Sequence, residues 1–423
     1  MHIAIITAGG AGMFCGSCMH DNTWARALQN AGCRVTLLPT YTPIRVDEPD
    51  QSDRHVFLGG LNVYLDQQLP VWRRLPRGLT RWLDAPWVIN TMSRLSTRND
   101  ARRLGELTLG VLAGEEGPQT REFAELANFI DRELRPDVVI FSNALLVGAL
   151  RLVKEEFSGP VYCTLQGDDV FLDSLPDAYR GRALQAVSER AQEFDAFIVH
   201  SRFYRDYMAE YLSLPAEKFR QIPLGIDLTG YDGEPGARSG EPFTVGYFAR
   251  IARPKGLHRL VEGFVQFHKR QPDARLRVGG YLGAAERPYF NEVRRAARVL
   301  GNAFEYVGSP ATHDEKVAFY KSVDLLSVPT EFLEPKGLYV LEALANGVPV
   351  VQPRHGAFPE LLEATGGGRL VTPGDADELA EVFAELHAEP DTRTSLGATG
   401  QINVREQFNP EVMAAATLEL LRP

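Results

Sequence analysis

The chemistry-bearing residues of this chain gather in Glu334-Pro335-Lys336-Gly337-Leu338 and, further on, Glu342. Leu338, Leu341 and Ala345 recur at helical spacing, Gly347 stands where a C-terminal cap belongs, and Pro349 stops further helix before Val350 and Val351. The stretch therefore predicts a loop, a short helix and a buried strand. At that helix start the N–H groups of Gly337 and Leu338 lack intrahelical partners, which suits an anion such as phosphate. Glu342 would lie about 7 Å along the axis, its side chain leaning back toward the start. That offset matches a diphosphate joined to a ribose. The alternative is a surface helix with one solvated Glu and one loop Glu.

Arg250, Lys255 and Gly256 form a second cluster, after a predicted strand at 243–247 and ahead of a helix from 257. Arg250 offers a planar fork and Lys255 a point charge. Because both clusters follow strands of one predicted sheet, together they read as a diphosphate clamp beside a ribose-binding carboxylate. Two further stretches carry weaker signals. Gln166-Gly167-Asp168-Asp169 follows a predicted strand at 161–165, where Asp168 or Asp169 can meet sugar hydroxyls. Paired aspartates also suit a divalent metal, but turn chemistry explains them as readily, and no metal site is expected. Near the N-terminus, Gly9, Gly10, Gly12 and Gly16 let backbone approach a ligand, though not at the dinucleotide G-x-G-x-x-G spacing. Cys15 and Cys18 make a lone C-x-x-C there, half of a tetrahedral metal site, for which structural use competes with redox use.

The elements that must position these residues read as two α/β series. Strands at 2–7, 34–38, 137–141, 161–165, 196–199 and 220–223 alternate with helices such as 20–30 and 182–193. The segment 228–242 is rich in Gly, Pro, Ser and Asp and serves as the linker. Strands at 243–247, 276–279, 304–307, 325–328, 348–351 and 369–371 then alternate with helices at 257–269, 289–300, 315–321 and 375–387, and a last helix spans 410–421. Residues 43–120 are irregular, with Trp72, Trp82 and Trp87 among many arginines, a composition that fits an acceptor face, peripheral contact with anionic membrane, or solvated helices packed by their tryptophans. With 423 residues, 44% of them hydrophobic and 24% charged, two globular domains are expected. The net charge of −10 argues against general nucleic-acid binding. No apolar run nears the ~20 residues of a membrane span, the N-terminus reads as a strand and not a signal peptide, and four cysteines suggest a reducing cytoplasm.

Arg250 with Lys255, the Glu334-Pro335-x-Gly337-Leu338 run with Glu342 and Ala343, and Gly347-x-Pro349-Val350-Val351 resemble the retaining GT-B glycosyltransferases of family four, the glycosyl transferases group 1. Leu224 to Asp227 and Gly374-Asp375 are similar to the same pattern. The resemblance implies an α/β GT-B fold of two Rossmann-like domains facing across a cleft. Residues 1–228 would bind the acceptor, 229–242 would link, 243–405 would bind a nucleotide-diphosphate sugar, and 406–423 would pack back on the first domain. It further implies that Arg250 and Lys255 neutralise the diphosphate, Glu342 holds the ribose and Glu334 faces the transferred sugar. Gly16, Lys336, Gly337 and Leu338 would complete the donor site, with Asp168, Gln166 and His20 on the sugar or acceptor side. No cofactor or metal is expected, and the location would be cytoplasmic, with peripheral membrane contact through the Trp/Arg segment. Three positions depart from the pattern: Cys15 for a common glycine, Lys336 for an aromatic and Gln166 for a frequent histidine. A GT-B sugar phosphorylase, a nucleotide-sugar epimerase and a non-catalytic nucleotide-sugar-binding protein are the competing readings.

Overall fold

The structure, a computed structural model, describes residues 1–9, 15–53, 56–57, 101–236, 238 and 241–422, and for 101–103 the backbone alone. Gly10, Gly12, Trp72, Trp82 and Trp87, and with them the expectation of a Trp/Arg-rich membrane-contact face, lie outside the described residues.

In chain order the strands are β1 His2–Thr7, β2 Arg34–Pro39, β3 Val138–Phe141, β4 Val161–Thr164, β5 Ala196–Val199, β6 Phe219–Gln221, β7 Thr244–Phe248, β8 Arg275–Gly279, β9 Phe304–Gly308, β10 Leu325–Leu326, β11 Val350–Pro353 and β12 Gly368–Val371. The described α-helices are α1 Gly16–Asn30, α2 Ala101–Leu112, α3 Thr120–Asn128, α4 Leu150–Glu156, α5 Asp168–Asp173, α6 Asp177–Ala191, α7 Arg202–Tyr211, α8 Leu257–Arg270, α9 Arg287–Ala296, α10 His313–Lys321, α11 Leu338–Ala345, α12 Phe358–Thr365, α13 Ala376–Ala388, α14 Pro390–Gln407 and α15 Pro410–Leu420.

The chain folds into two compact units, residues 1–222 with 413–423, and residues 223–412. In the first, the strand order β2-β1-β3-β4-β5-β6 is parallel throughout. Its strands β1, β3 and β5 are buried along their whole length because both faces are covered, whereas the edge strand β6 exposes Arg220 and Gln221. Ala4 and Ile6 enter one core, while Ile3 and Ile5 enter the other with Trp24 and Leu28 of α1. In the second unit the order is β12-β11-β10-β7-β8-β9, again parallel. One cluster spanning Val245, Leu260, Phe264, Leu326, Leu341 and Phe383 forms its core.

The unit boundary precedes the sequence-derived one at 228. Leu224 and Ile226 are buried in the second core, and the Ile226 N–H donates to the Phe408 carbonyl at 3.0 Å. At the other end, Met413 and Ala414 of α15 are buried with Trp24, whose Nε1–H donates to Thr417 Oγ1 at 2.9 Å.

The strand orders decide where ligand chemistry belongs. In an open parallel sheet, consecutive connections leave in opposite directions at one point, which opens a crevice at the carboxyl ends of the two strands there. In the second sheet that point lies between β7 and β10, and in the first between β1 and β3.

Candidate functional site

The loops leaving β7 and β10 carry the residues singled out in the sequence. After β7 the chain runs through exposed Arg250 to a short turn, Arg253–Lys255, and enters α8 at Gly256. Gly256 is left-handed at φ 73°, and a Cβ there would meet the Pro329 carbonyl oxygen at 1.8 Å. Only glycine therefore lets this turn sit against the loop that leaves β10. The Glu331 N–H donates to the Pro254 carbonyl at 2.8 Å, and the buried Tyr247 hydroxyl lies 3.3 Å from the Arg250 carbonyl and 3.4 Å from that of Lys255. The two loops are thus fixed to each other by backbone.

That junction brings Lys255 onto Glu334. The ammonium donates to Glu334 Oε2 at 2.6 Å, and the Tyr339 hydroxyl donates to the same oxygen at 2.9 Å. Burial alone would push the Glu334 carboxyl up, but Lys255, Tyr339 and Lys336 outweigh it and hold it below the usual carboxylate range. The Lys255 ammonium also lies 4.7 Å from the Phe332 ring centroid and 5.2 Å from that of Tyr339. The site is therefore an ionised carboxylate and an ammonium inside an aromatic wall.

Immediately beyond, Gly337 is the N-cap of α11 at φ 74°, a left-handed conformation that turns the chain from the Glu334 loop into the helix. The first N–H groups of α11 therefore open beside the Lys255–Glu334 pair. The far end of α11 closes as predicted. Gly347 N–H donates to the Leu344 carbonyl at 2.8 Å and Val348 N–H to that of Ala343 at 3.0 Å, a Schellman cap.

Glu342, on the same helix, is not part of that pair. Its Oε1 accepts from Lys316 Nζ at 2.9 Å and its Oε2 from the Tyr320 hydroxyl at 2.7 Å, with both charged side chains buried. Lys316 and Tyr320 lie four apart on α10 and so share one face. The structure thus unites Glu334, Lys255, Lys336, Gly337 and Leu338, and supports Glu342 separately. Arg250 makes no ion pair among the described residues.

Tyr339, Lys316 and Tyr320 were missed in the sequence, where each reads as an ordinary helical residue. His355 was missed as well. It follows β11, its Nε2 lies 3.4 Å from Thr330 Oγ1, and burial holds its pKa below the usual imidazole value. The sequence signal was its place after Pro353, at the end of a strand that neighbours β10.

In the first unit, the carboxyl ends of β1, β3 and β4 meet in a buried polar cluster. Gln166 Nε2 donates to Asp21 Oδ1 and to the Ser142 carbonyl, both at 2.9 Å. His20 Nδ1 is 3.2 Å from the same Asp21 oxygen, and its ring meets that of His200 edge-on at 4.4 Å. His20 and Gln166 are therefore neighbours through Asp21, which sequence reasoning passed over. Asp168 faces elsewhere: its carboxylate accepts the Ala144 N–H at 2.6 Å and the Gln166 N–H at 2.9 Å. These bonds join the loops after β3 and β4, so within this unit Asp168 is a turn-holding residue. Burial pushes its carboxyl up to about 6. Asp169 accepts from the Tyr204 hydroxyl at 2.6 Å. Gly16 is the exposed first residue of α1.

Comparisons with known proteins agree with this architecture. Residues 234–402 match the family profile described as glycosyl transferases group 1, and residues 22–229 match that of glycosyltransferase family 4. A GDP-mannose-dependent alpha-(1-6)-phosphatidylinositol monomannoside mannosyltransferase of Mycobacterium tuberculosis is 30% identical over 49% of this chain and 57% of its own length. The putative colanic acid biosynthesis glycosyltransferase WcaL of Escherichia coli is 27% identical over 50% of this chain and 52% of its own. The chain thus spans between half and three fifths of these curated relatives. Among solved structures, sucrose-phosphate synthase from Thermosynechococcus elongatus superposes with a TM-score of 0.74 at 21% identity, covering 99% of this chain and 98% of that one. Anabaena Alr3699/HepE in complex with UDP gives 0.70 at 18% identity, covering 100% and 99%. With the two profiles covering most of its length and the two parallel sheets forming a GT-B fold, this chain belongs to the glycosyl transferases group 1, with a family 4 N-terminal part.

Proposed function

We propose that the protein is a retaining glycosyltransferase that moves a sugar from a nucleotide-diphosphate sugar to an acceptor hydroxyl without a metal. The observation that carries this reading is the Lys255–Glu334 pair at the start of α11, on the switch point of the second sheet. Cleavage of a glycosyl phosphate bond builds positive charge on the anomeric carbon and negative charge on the departing diphosphate. Lys255, Arg250, Lys336 and the first N–H groups of α11 neutralise the second. An ammonium has three N–H donors, so Lys255 can keep Glu334 and still reach a phosphate oxygen. Glu334, ionised and fixed by Tyr339, positions the transferred sugar and faces the developing positive charge; it is not the nucleophile. Glu342 holds the ribose: each of its oxygens accepts one protein hydrogen bond and keeps acceptor capacity for a hydroxyl. In a retaining transfer the acceptor hydroxyl approaches on the leaving-group face and passes its proton to the departing phosphate.

The first unit takes the acceptor, with His20, Asp21 and Gln166 as its polar contacts. The name of the mannosyltransferase relative favours a hexose donor and a lipid-linked acceptor, and that of WcaL favours a glycan acceptor. No described helix is long and apolar enough to cross a membrane. Product analysis over UDP-, GDP- and ADP-sugars tests the reading. One donor should release nucleoside diphosphate, faster with acceptor present. Sugar release that needs free phosphate, or an isomerised donor, would replace transfer with phosphorolysis or epimerisation.

A further inference from the structure

Cys15 and Cys18 take no part in the site described above. Cys15 is the N-cap of α1, with extended backbone at φ −115° and ψ 126°, and its carbonyl accepts the Met19 N–H at 3.0 Å. Cys18 is then the third residue of the helix. N-cap and third residue face each other, the relation that a capping box exploits with oxygen side chains. Here both positions carry sulfur, and the neighbouring Cys15 thiol, with burial, holds the Cys18 thiol well above its usual range. They differ in access. Cys15 is partly exposed, whereas Cys18 is 2% exposed and packed in the core with Ile3, Ile5 and Trp24. Among the described residues no third metal-ligating side chain joins the pair.

We propose that Cys15 and Cys18 are a reversible dithiol–disulfide couple, with Cys15 the entry thiol and Cys18 the resolving thiol. The partial positive charge of the α1 start favours a thiolate at Cys15, and exposure lets an oxidant reach it. The neighbouring Cys15 thiol and burial keep Cys18 protonated until the sulfurs react. With a small disulfide such as oxidised glutathione as co-reactant, the Cys15 thiolate attacks one sulfur and expels one glutathione thiolate. Cys18 then loses its proton, attacks the Cys15 sulfur and expels the second. Two protein thiols are oxidised and one glutathione disulfide is reduced to two thiols.

The test incubates the full-length folded protein with glutathione at graded ratios of oxidised to reduced form, quenches with an alkylating reagent, and maps the peptides by mass. The expected result is a Cys15–Cys18 disulfide that forms as the ratio rises and disappears on return to reduced glutathione, while Cys33 and Cys163 stay alkylated. Cys18→Ser should accumulate a mixed glutathione disulfide on Cys15, because the resolving thiol is gone. Cys15→Ser should leave Cys18 unmodified in the folded state. Circular dichroism of each variant establishes that it is folded. The proposal is overturned if folded wild type forms no Cys15–Cys18 disulfide at any ratio, or if Cys18→Ser takes up no glutathione at Cys15.

Discussion

At the scale of single residues, the buried charges separate into those that build and those that act. Asp168 builds: it takes two backbone N–H groups that no other described side chain serves. An amide has one oxygen to accept with, so Asp168→Asn leaves one N–H facing an NH2 group and should cost about 1–3 kcal/mol, read as a fall in thermal midpoint. The pH dependence follows from the raised carboxyl. A folded pKa of about 6 stands above the ~4 of an unfolded chain, so this term stabilises fully below pH ~4 and is lost as pH rises through 6. The gap between wild type and Asp168→Asn should therefore widen as pH falls from 6 to 4, and a gap independent of pH would refute the assignment. Glu334 has the opposite sign, since its depressed pKa stabilises above the unfolded value and is lost on acidification. Lys316 is bound to Glu342 out of water, so Lys316→Met strands a buried carboxylate and should cost about 3–5 kcal/mol. Lys316→Met combined with Glu342→Leu should recover most of that loss in denaturant melts, because no unpaired charge is left behind.

At the scale of elements, the legible parts were those whose pattern serves a single purpose. Strands β1, β3, β5 and β11 are buried throughout, the described strands of both sheets could be read to within a residue or two, and α11 declared itself through its spacing and its Gly347 cap. What could not be read were side-chain directions: Asp168 starts α5 and Glu342 stands midway along α11, but one partner of the first comes from the loop after β3 and those of the second from α10. Helix α14 was missed altogether. It contains Gly397 and Gly400, which read as helix breakers, but a Cβ at Gly397 would sit 2.1 Å from the Gly347 carbonyl oxygen and one at Gly400 would sit 2.6 Å from Leu344 Cδ2. These glycines are there so that α14 can lie close against α11 and its cap. Gly397→Ala gains up to about 1 kcal/mol of helix propensity and meets overpacking of about 1–3 kcal/mol. A lowered thermal midpoint is expected, and a raised one would show that the close approach is not needed.

At the scale of the whole molecule, the chain leaves its first unit at residue 222 and returns to it at residue 413. The return completes a core, because Trp24 is fully buried with Met413 and Ala414 and is hydrogen-bonded to Thr417. Removing residues 413–423 should expose Trp24, shift its emission to longer wavelength and lower the melting of the first unit, with nucleotide binding by the second unit preserved. Loss of nucleotide binding on this truncation would mean that the donor site depends on more than residues 223–412.

The central claim is that Glu334, held ionised by Lys255 and Tyr339, acts in the transfer step while the nucleotide is gripped by its neighbours. Calorimetric titration of wild type and Glu334→Gln with the nucleoside diphosphate of the active donor, paired with turnover of that donor, tests it most directly. The account predicts nucleotide affinity within a few-fold of wild type and turnover reduced by two orders of magnitude or more, about 3 kcal/mol of transition-state stabilisation. Undiminished turnover in Glu334→Gln, or loss of nucleotide affinity in step with turnover, would contradict it.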